Sequence, residues 1–175
     1  ALSVLFPVER VLAYDVSADA AASFASDIRS RLGLEVQIVD TPREAVSGCD
    51  IVVTAGPILR QPHATIQPGW LDEGAFASLV DFDSYWHPDA MKEADKFCTD
   101  DLAQLSHYQQ VGYFKGIPAV HADLGELSVG KKPGREKPEE RTMAVNLGLA
   151  LDDMAVAPLI YRRAVEKGIG TWLPL

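Results

Sequence analysis

The strongest constraint on the fold is a series of short apolar runs that end in turn residues and alternate with helical stretches. "RVLAYD" at Arg10–Asp15, "EVQIVD" at Glu35–Asp40, "CDIVVTAGP" from Cys49, "AFASLVD" at Ala75–Asp81, "KFCT" at Lys96–Thr99 and the run Thr142–Asn146 each read as a strand. Runs this continuous in apolar residues suit strands covered on both faces, and the helices between them supply the covers. Ala18–Leu32 carries apolar residues at helical spacing and stops at Gly33. Pro42 opens a short helix through Val46, and Asp101–Val111 and Asp123–Val129 also read as helical. Gly148–Lys167 predicts a long helix ended by Gly168, with a kink or bend at Pro158. Gly130–Glu140 is the one linker-like stretch.

In "VERVLAYDVSADAA", at Val8–Ala21, a strand ends in an acid, Asp15, and a helix start follows at once. In dinucleotide-binding units the acid ending the second strand lies about 20 residues after a glycine-rich turn and takes the ribose hydroxyls. Counting back from Asp15 puts that turn before residue 1. The expected fold is therefore α/β: a Rossmann-like, doubly wound, mostly parallel sheet, truncated at its N-terminus, with a long C-terminal helix. Ala1–Leu5 would be the tail of the first crossover helix and Phe6–Glu9 the turn after it. A strand-end Asp is also a common helix N-cap, and that alternative stands beside the ribose role. With Asp15 and its neighbour Val16 at the ribose, the negative charge disfavours a 2′-phosphate, so NAD is expected rather than NADP. The turn Thr54, Ala55, Gly56 closes a strand at the edge where such sheets place ligands, although an ordinary strand-ending turn fits the spacing equally well.

Composition narrows the rest. A chain of 175 residues, 47% of them apolar, can bury a real core. A net charge of −9 argues against nucleic acid as the partner, and the one basic cluster, "GKKPGR" at Gly130–Arg135, reads as a solvated turn. No apolar run approaches the roughly 20 residues of a membrane helix. The N-terminus lacks the basic region and cleavage site of a signal peptide. Cys49 and Cys98 have no partners at metal-ligand spacing and fit buried reduced thiols, so a cytoplasmic protein is expected. No metal site is expected. "DFD" at Asp81–Asp83 lacks a further ligand, and His63, His87, His107 and His121 are scattered, with only His87 close to Asp83.

Four stretches in order go beyond a generic fold: "AVSGCDIVVTAGP", "DEGAFASLVDFD", "ADLGELSVGKKPGR" and "NLGLALDDMAVAPLIYRRAVEKGIGTWL". The series resembles the ornithine cyclodeaminase/mu-crystallin family over essentially the whole chain. The resemblance implies a two-domain, homodimeric enzyme that uses a nicotinamide cofactor on amino acids, amines or cyclic imines. A separate N-terminal domain of such enzymes supplies the Lys and Arg residues that grip the substrate carboxylate. Residues 1–145 would then be the NAD-binding domain, and residues 146–175 a helical segment packing toward the substrate and dimerisation domain. The family's catalytic carboxylate falls on Asp83. Val80 is expected to bind the cofactor, and Asn146 and Gly148 fall near the nicotinamide end, where the family usually has Ser and Gly; Gly148 would allow close backbone approach. Asp153 matches a family acid, although a helix-surface acid accounts for it as simply, and Gly125–Glu126 reads as structural. Asp81, two residues before Asp83, is expected on the same face of an extended strand, which would raise the pKa of one of the pair. The alternative for both is a solvated strand-end acid.

Ser84–Pro88, "SYWHP", departs from the small residue and Pro-Gly-Lys usual after that Asp, and is similar to a bacterial branch of the family that carries a tyramine oxidase label. Tyr85 and Trp86 would add aromatic bulk beside the pocket or serve as packing. The expected activity is an NAD-dependent oxidoreductase or deaminase working through an imine. Cyclisation with ammonia loss and hydrolysis to a keto acid differ only in the nucleophile. The alternative is a catalytically reduced homologue, or one component of a larger enzyme, that holds a nucleotide or small ligand. Without a phosphate cradle and carboxylate clamp, these residues alone are expected to have little activity.

Overall fold

Fourteen short elements follow one another in a computed structural model that describes residues 2–173. A first unit comprises α1 (Leu2–Leu5), β1 (Val11–Ala13), α2 (Ala18–Leu32), β2 (Val36–Ile38) and α3 (Pro42–Val46). β3 (Ile51–Thr54), β4 (Phe76–Leu79), α4 (Pro88–Met91), β5 (Lys96–Thr99) and α5 (Leu102–Gln110) come next. β6 (Ala122–Asp123), α6 (Leu124–Ser128), β7 (Thr142–Val145) and α7 (Ala150–Lys167) complete the order.

Every strand pairing is parallel, in two sheets: β1 with β2, and a five-stranded sheet in the order β3-β4-β7-β5-β6. The α/β, Rossmann-like reading holds. Parallel pairing puts all five carboxyl ends of the larger sheet along one edge. Its centre is the driest part of the protein, with Ala77, Leu79, Met143 and Val145 from β4 and β7 fully buried. Val46, Val52, Trp86, Met91 and Phe97 pack around them.

Local chemistry sets the helix ends. Ser17 caps α2 by accepting the Ala20 N–H, and Gly33 ends it in the left-handed region at φ 67°. Thr41 and Glu44 form a reciprocal capping box at α3, and Asp101 and Asp123 cap α5 and α6. α4 and the two-residue β6 were not anticipated, being too short to carry a period. α7 begins at Ala150, two residues later than expected, because Gly148 takes φ 84°. The helix continues past Pro158 and buries none of its residues, leaving Leu151, Met154, Ile160 and Tyr161 exposed.

The linker-like stretch has no helix between residues 130 and 140, and "GKKPGR" is exposed throughout, as expected of a solvated turn, but the segment is anchored to the sheet. The Arg135 guanidinium donates to the carbonyls of Gly74, Ala75 and Pro138 and to Thr142 Oγ1. The buried Lys96 ammonium donates to Gly134 O and pairs with Glu136 at 2.6 Å and Glu140 at 3.5 Å. Cation pairing with backbone carbonyls thus lays the segment across the amino ends of β4, β7 and β5. Cys49 and Cys98 are free and half-buried, and burial pushes both thiols up. Among the described residues, no helix is long and apolar enough to cross a membrane, and no group of His, Cys, Asp and Glu could hold a metal ion.

Candidate functional site

The carboxyl edge of the larger sheet gathers most of the residues singled out in the sequence. Asp81 follows β4 and is fully buried. Its Oδ1 accepts the Thr54 hydroxyl at 2.7 Å and its Oδ2 the Gly56 N–H at 3.0 Å. Trp86 Nε1 donates to Thr54 Oγ1 at 3.2 Å, Ser84 Oγ accepts the Leu59 N–H at 2.9 Å, and the Tyr85 hydroxyl donates to Pro57 O at 3.1 Å. These bonds sew the loop after β3 onto the loop after β4. Burial pushes the Asp81 carboxyl up, and the bonds from Gly56 and Thr54 oppose the shift. A Cβ on Gly56 would lie 2.4 Å from the Tyr85 ring, so the ring's seat requires glycine there. Trp86 is fully buried, which makes it packing rather than bulk beside a pocket.

Asp83 does not share a face with Asp81. β4 stops at Leu79, and Phe82 takes φ 62°, which turns the chain between the two acids. Asp81 faces Thr54 and Gly56, whereas Asp83 faces the backbone of Phe114. The shift expected from a like-charge pair is absent; each carboxyl is raised by burial. Asp83 is 5% exposed, and its Oδ1 is the single buried side-chain N or O among the described residues without a hydrogen-bond partner. An orphaned buried carboxylate oxygen is costly, and such cost is typical of a site that awaits a ligand. The amides of Asp83 and Phe114 oppose its upward shift.

Phe114 shares the left-handed conformation of Phe82, at φ 56°, and their rings lie 5.0 Å apart. Tyr108 packs tilted against Phe82 at 4.8 Å and Tyr113 edge-on at 5.5 Å. A bulky residue at positive φ carries roughly 1–3 kcal/mol of strain, and here packing of four rings holds two such residues on either side of Asp83.

At the end of β7 the Asn146 N–H joins Leu79 O, and its side-chain amide donates to Ser78 Oγ at 3.0 Å, so the side chain is engaged within the sheet edge. Gly148 directs its N–H to Asp100 Oδ2 at 2.8 Å and accepts Gln104 Nε2 on its carbonyl at 3.1 Å, and a Cβ there would meet nothing within 4 Å. It therefore offers a ligand its open Cα, not its amide. Val80 is half exposed, with its N–H on Thr54 O at 3.0 Å.

Asp15 and Val16 are both exposed and follow β1 of the other sheet, hydrogen-bonded to none of these residues. Ser17, not Asp15, caps α2, so the N-cap alternative for Asp15 falls. Asp15 Oδ1 accepts the Ser17 N–H at 2.8 Å, and Oδ2 makes no hydrogen bond with a described residue. Ala55 is exposed at the turn. His87 is structural: its Nδ1 caps α4 by accepting the Asp89 N–H. Asp153 lies exposed in the first turn of α7, and Glu126 pairs with Lys131 at 2.8 Å.

Sequence reasoning missed Asp100. Its Oδ2 accepts the N–H groups of Leu147 at 2.7 Å and Gly148 at 2.8 Å, and its Oδ1 accepts from Thr99 Oγ1 and the Asp101 N–H. The signal was present: "KFCTD" ends a strand in an acid just as "VLAYD" and "ASLVD" do. The carboxyl edge of the larger sheet thus holds an exposed turn and an orphaned buried carboxylate, and Asp15 follows β1 with one carboxylate oxygen on the Ser17 N–H.

The model of the ornithine cyclodeaminase/mu-crystallin family matches residues 1–168. The alanine dehydrogenase of Archaeoglobus fulgidus is 34% identical over 98% of this chain and 54% of its own length. Thermococcus litoralis Delta(1)-pyrroline-2-carboxylate reductase, solved with NADH and L-proline, is 28% identical with a TM-score of 0.80 over 98% of this chain and 55% of that one. An archaeal alanine dehydrogenase dimer with bound NAD is 30% identical with a TM-score of 0.76 over 99% of this chain and 55% of that one. The chain thus spans about half the length of the relatives it matches. On a match that runs through both sheets and into α7, the chain belongs to the ornithine cyclodeaminase/mu-crystallin family.

Proposed function

We propose that this chain is the nucleotide-binding and C-terminal portion of an NAD-dependent oxidoreductase or deaminase acting on an amino acid or amine through an imine. The observation that carries the reading is Asp83, a buried carboxylate with an unpartnered oxygen at the carboxyl edge of a parallel sheet. Bound NAD would supply the hydride acceptor or donor. Asp15 and Val16 would hold the ribose, the Thr54–Ala55–Gly56 turn would line the dinucleotide, and Val80, Asn146 and Gly148 would border the reacting end. Asp83 would orient an ammonium or iminium group and take a proton as a nucleophile attacks the imine carbon. Its raised pKa favours proton uptake at that step nearer to neutral pH. The exposed apolar residues of α7 would pack toward a second, substrate-binding and dimerising domain of a cytoplasmic homodimer, and residues 1–175 alone would turn over little or no substrate.

The test is an NADH titration followed by fluorescence, together with cofactor absorbance during incubation with NAD and a panel of amino acids and amines, using the protein as its gene encodes it. Asp83→Ala should abolish turnover and leave the NADH dissociation constant within about two-fold. Unchanged turnover removes Asp83 from the chemistry. Saturable NADH binding with no substrate in the panel turned over favours a ligand-binding role instead.

A further inference from the structure

The turn Leu147–Gly148 is held from outside its own strand. Asp100, at the end of β5, accepts both of its N–H groups on one carboxylate oxygen, at 2.7 and 2.8 Å. The other oxygen takes Thr99 Oγ1 and the Asp101 N–H, at 3.2 and 3.0 Å. A carboxylate has room for about four such donors, and this one is filled from two elements at once. Gln104, on the first turn of α5, grips the same turn from its carbonyl side at 3.1 Å. On the far side of β4, Asp81 does the corresponding work on the turn after β3 through Thr54 and Gly56.

The strand order β3-β4-β7-β5 gives these two clamps opposite effects. Asp81 draws the turn after β3 toward β4, and Asp100 draws the turn after β7 away from β4. Between them the half-exposed Val80 and the open Cα of Gly148 are left bare. We infer that Asp100 is a positioning residue, one that never touches cofactor or substrate but sets the Leu147–Gly148 wall against which the reacting end of the dinucleotide lies. The inference rests on the NAD reading given above.

Charge matters more than shape here. An Asn at position 100 would turn its NH2 either to the two amides of the turn, where donors face donors, or to the Thr99 hydroxyl and the Asp101 N–H, of which only the hydroxyl can accept; either way a bond is lost and the charge with it. Charge-assisted bonds are about twice as strong as neutral ones, so the hold on the turn should weaken even where the amide oxygen takes the place of Asp100 Oδ2. Gly148 adds to this sensitivity, because at φ 84° it is free to take other conformations once its amide is let go.

The experiment measures amide hydrogen exchange by NMR and NADH affinity by fluorescence on the wild-type protein, Asp100→Asn and Gln104→Ala. Asp100→Asn should speed exchange at Leu147 and Gly148 by about ten-fold or more and weaken NADH by a comparable factor, while the Gly56 amide, held by Asp81, keeps its protection. Gln104→Ala, which removes one bond at a half-exposed position, guards against misfolding of the first variant and should weaken NADH by a few-fold with the melting temperature unchanged. Exchange at Leu147 and Gly148 that stays slow in Asp100→Asn overturns the inference. So does released exchange with NADH affinity intact in both variants. A wild-type protein that binds no NADH overturns the cofactor reading itself, and this inference with it.

Discussion

Thr54 donates its hydroxyl to Asp81 Oδ1 at 2.7 Å, and its Oγ1 in turn receives the indole N–H of Trp86 at 3.2 Å. One hydroxyl therefore satisfies two fully buried groups, a carboxylate and an indole. Thr54→Val would orphan both, at about 1–3 kcal/mol each before relaxation. Thr54→Ser keeps the hydroxyl and should cost within about 1 kcal/mol. Urea denaturation of the two variants checks this, and equal losses would mean that the hydroxyl is not the junction.

Asp83 should lower stability at neutral pH. Burial holds its carboxyl above the ordinary range, so the native state binds that proton more tightly than the unfolded chain does. Stability then falls as pH rises from the ordinary carboxylate value through the raised one, and the loss is complete above it. Asp83→Asn removes the ionisation. The variant should melt higher than wild type at pH 7, and the gap should close near about pH 3, where the carboxyl is protonated in both states. Asp81 shifts in the same direction, so part of the pH slope persists in the variant. A variant that melts lower than wild type at pH 7 refutes the desolvation argument.

Gly56 and Tyr85 should be strongly coupled. A methyl at Gly56 would meet the Tyr85 ring at 2.4 Å, with no unfavourable φ at that glycine. Gly56→Ala is thus expected to destabilise by steric overlap alone, roughly 1–3 kcal/mol. In a Tyr85→Ala background most of that cost should vanish. A thermodynamic cycle with a coupling below about 0.5 kcal/mol, the limit of ordinary additivity, would place the clash elsewhere.

Lys96 ties residues 134–140 to the sheet through Glu136, Glu140 and the Gly134 carbonyl. Lys96→Met keeps the apolar stem and removes all three partners. Limited proteolysis should then cut first within Gly130–Glu140, faster than in wild type, with the rest of the chain resistant. A cleavage pattern identical to that of wild type would show that Lys96 does not anchor the segment.

Most of the fold was legible because it is written locally. Apolar runs followed by turn residues place β1, β2, β3, β4, β5 and β7 within a residue or two of their observed ends, and Gly33 and Gly168 stop α2 and α7 where expected. The two-residue β6 and the single turn of α4 were not legible, since elements so short exist only by virtue of their neighbours. The site was legible in identity and not in arrangement. Asp81 and Asp83 were visible as a strand-end pair, but their shared face was wrong, because no local rule assigns Phe82 a left-handed backbone. That conformation is imposed by Phe114, Tyr108 and Tyr113 packed around its ring.

The sequence by itself determined the parallel α/β class, the strands and the acids that end them, because hydrophobic period, turn chemistry and strand-end residues act over a few positions. Tertiary structure alone decided what each acid does. Asp15 accepts the N–H of the serine that caps α2 instead of capping the helix itself, and Asp81 reaches Thr54 and Gly56 on the neighbouring strand and the turn after it. Asp83 is buried without a partner for one oxygen, and Asp100 holds amides 47 and 48 residues away. A carboxylate's role follows from which donors come within about 3 Å of it, and in a parallel sheet those donors come from other strands.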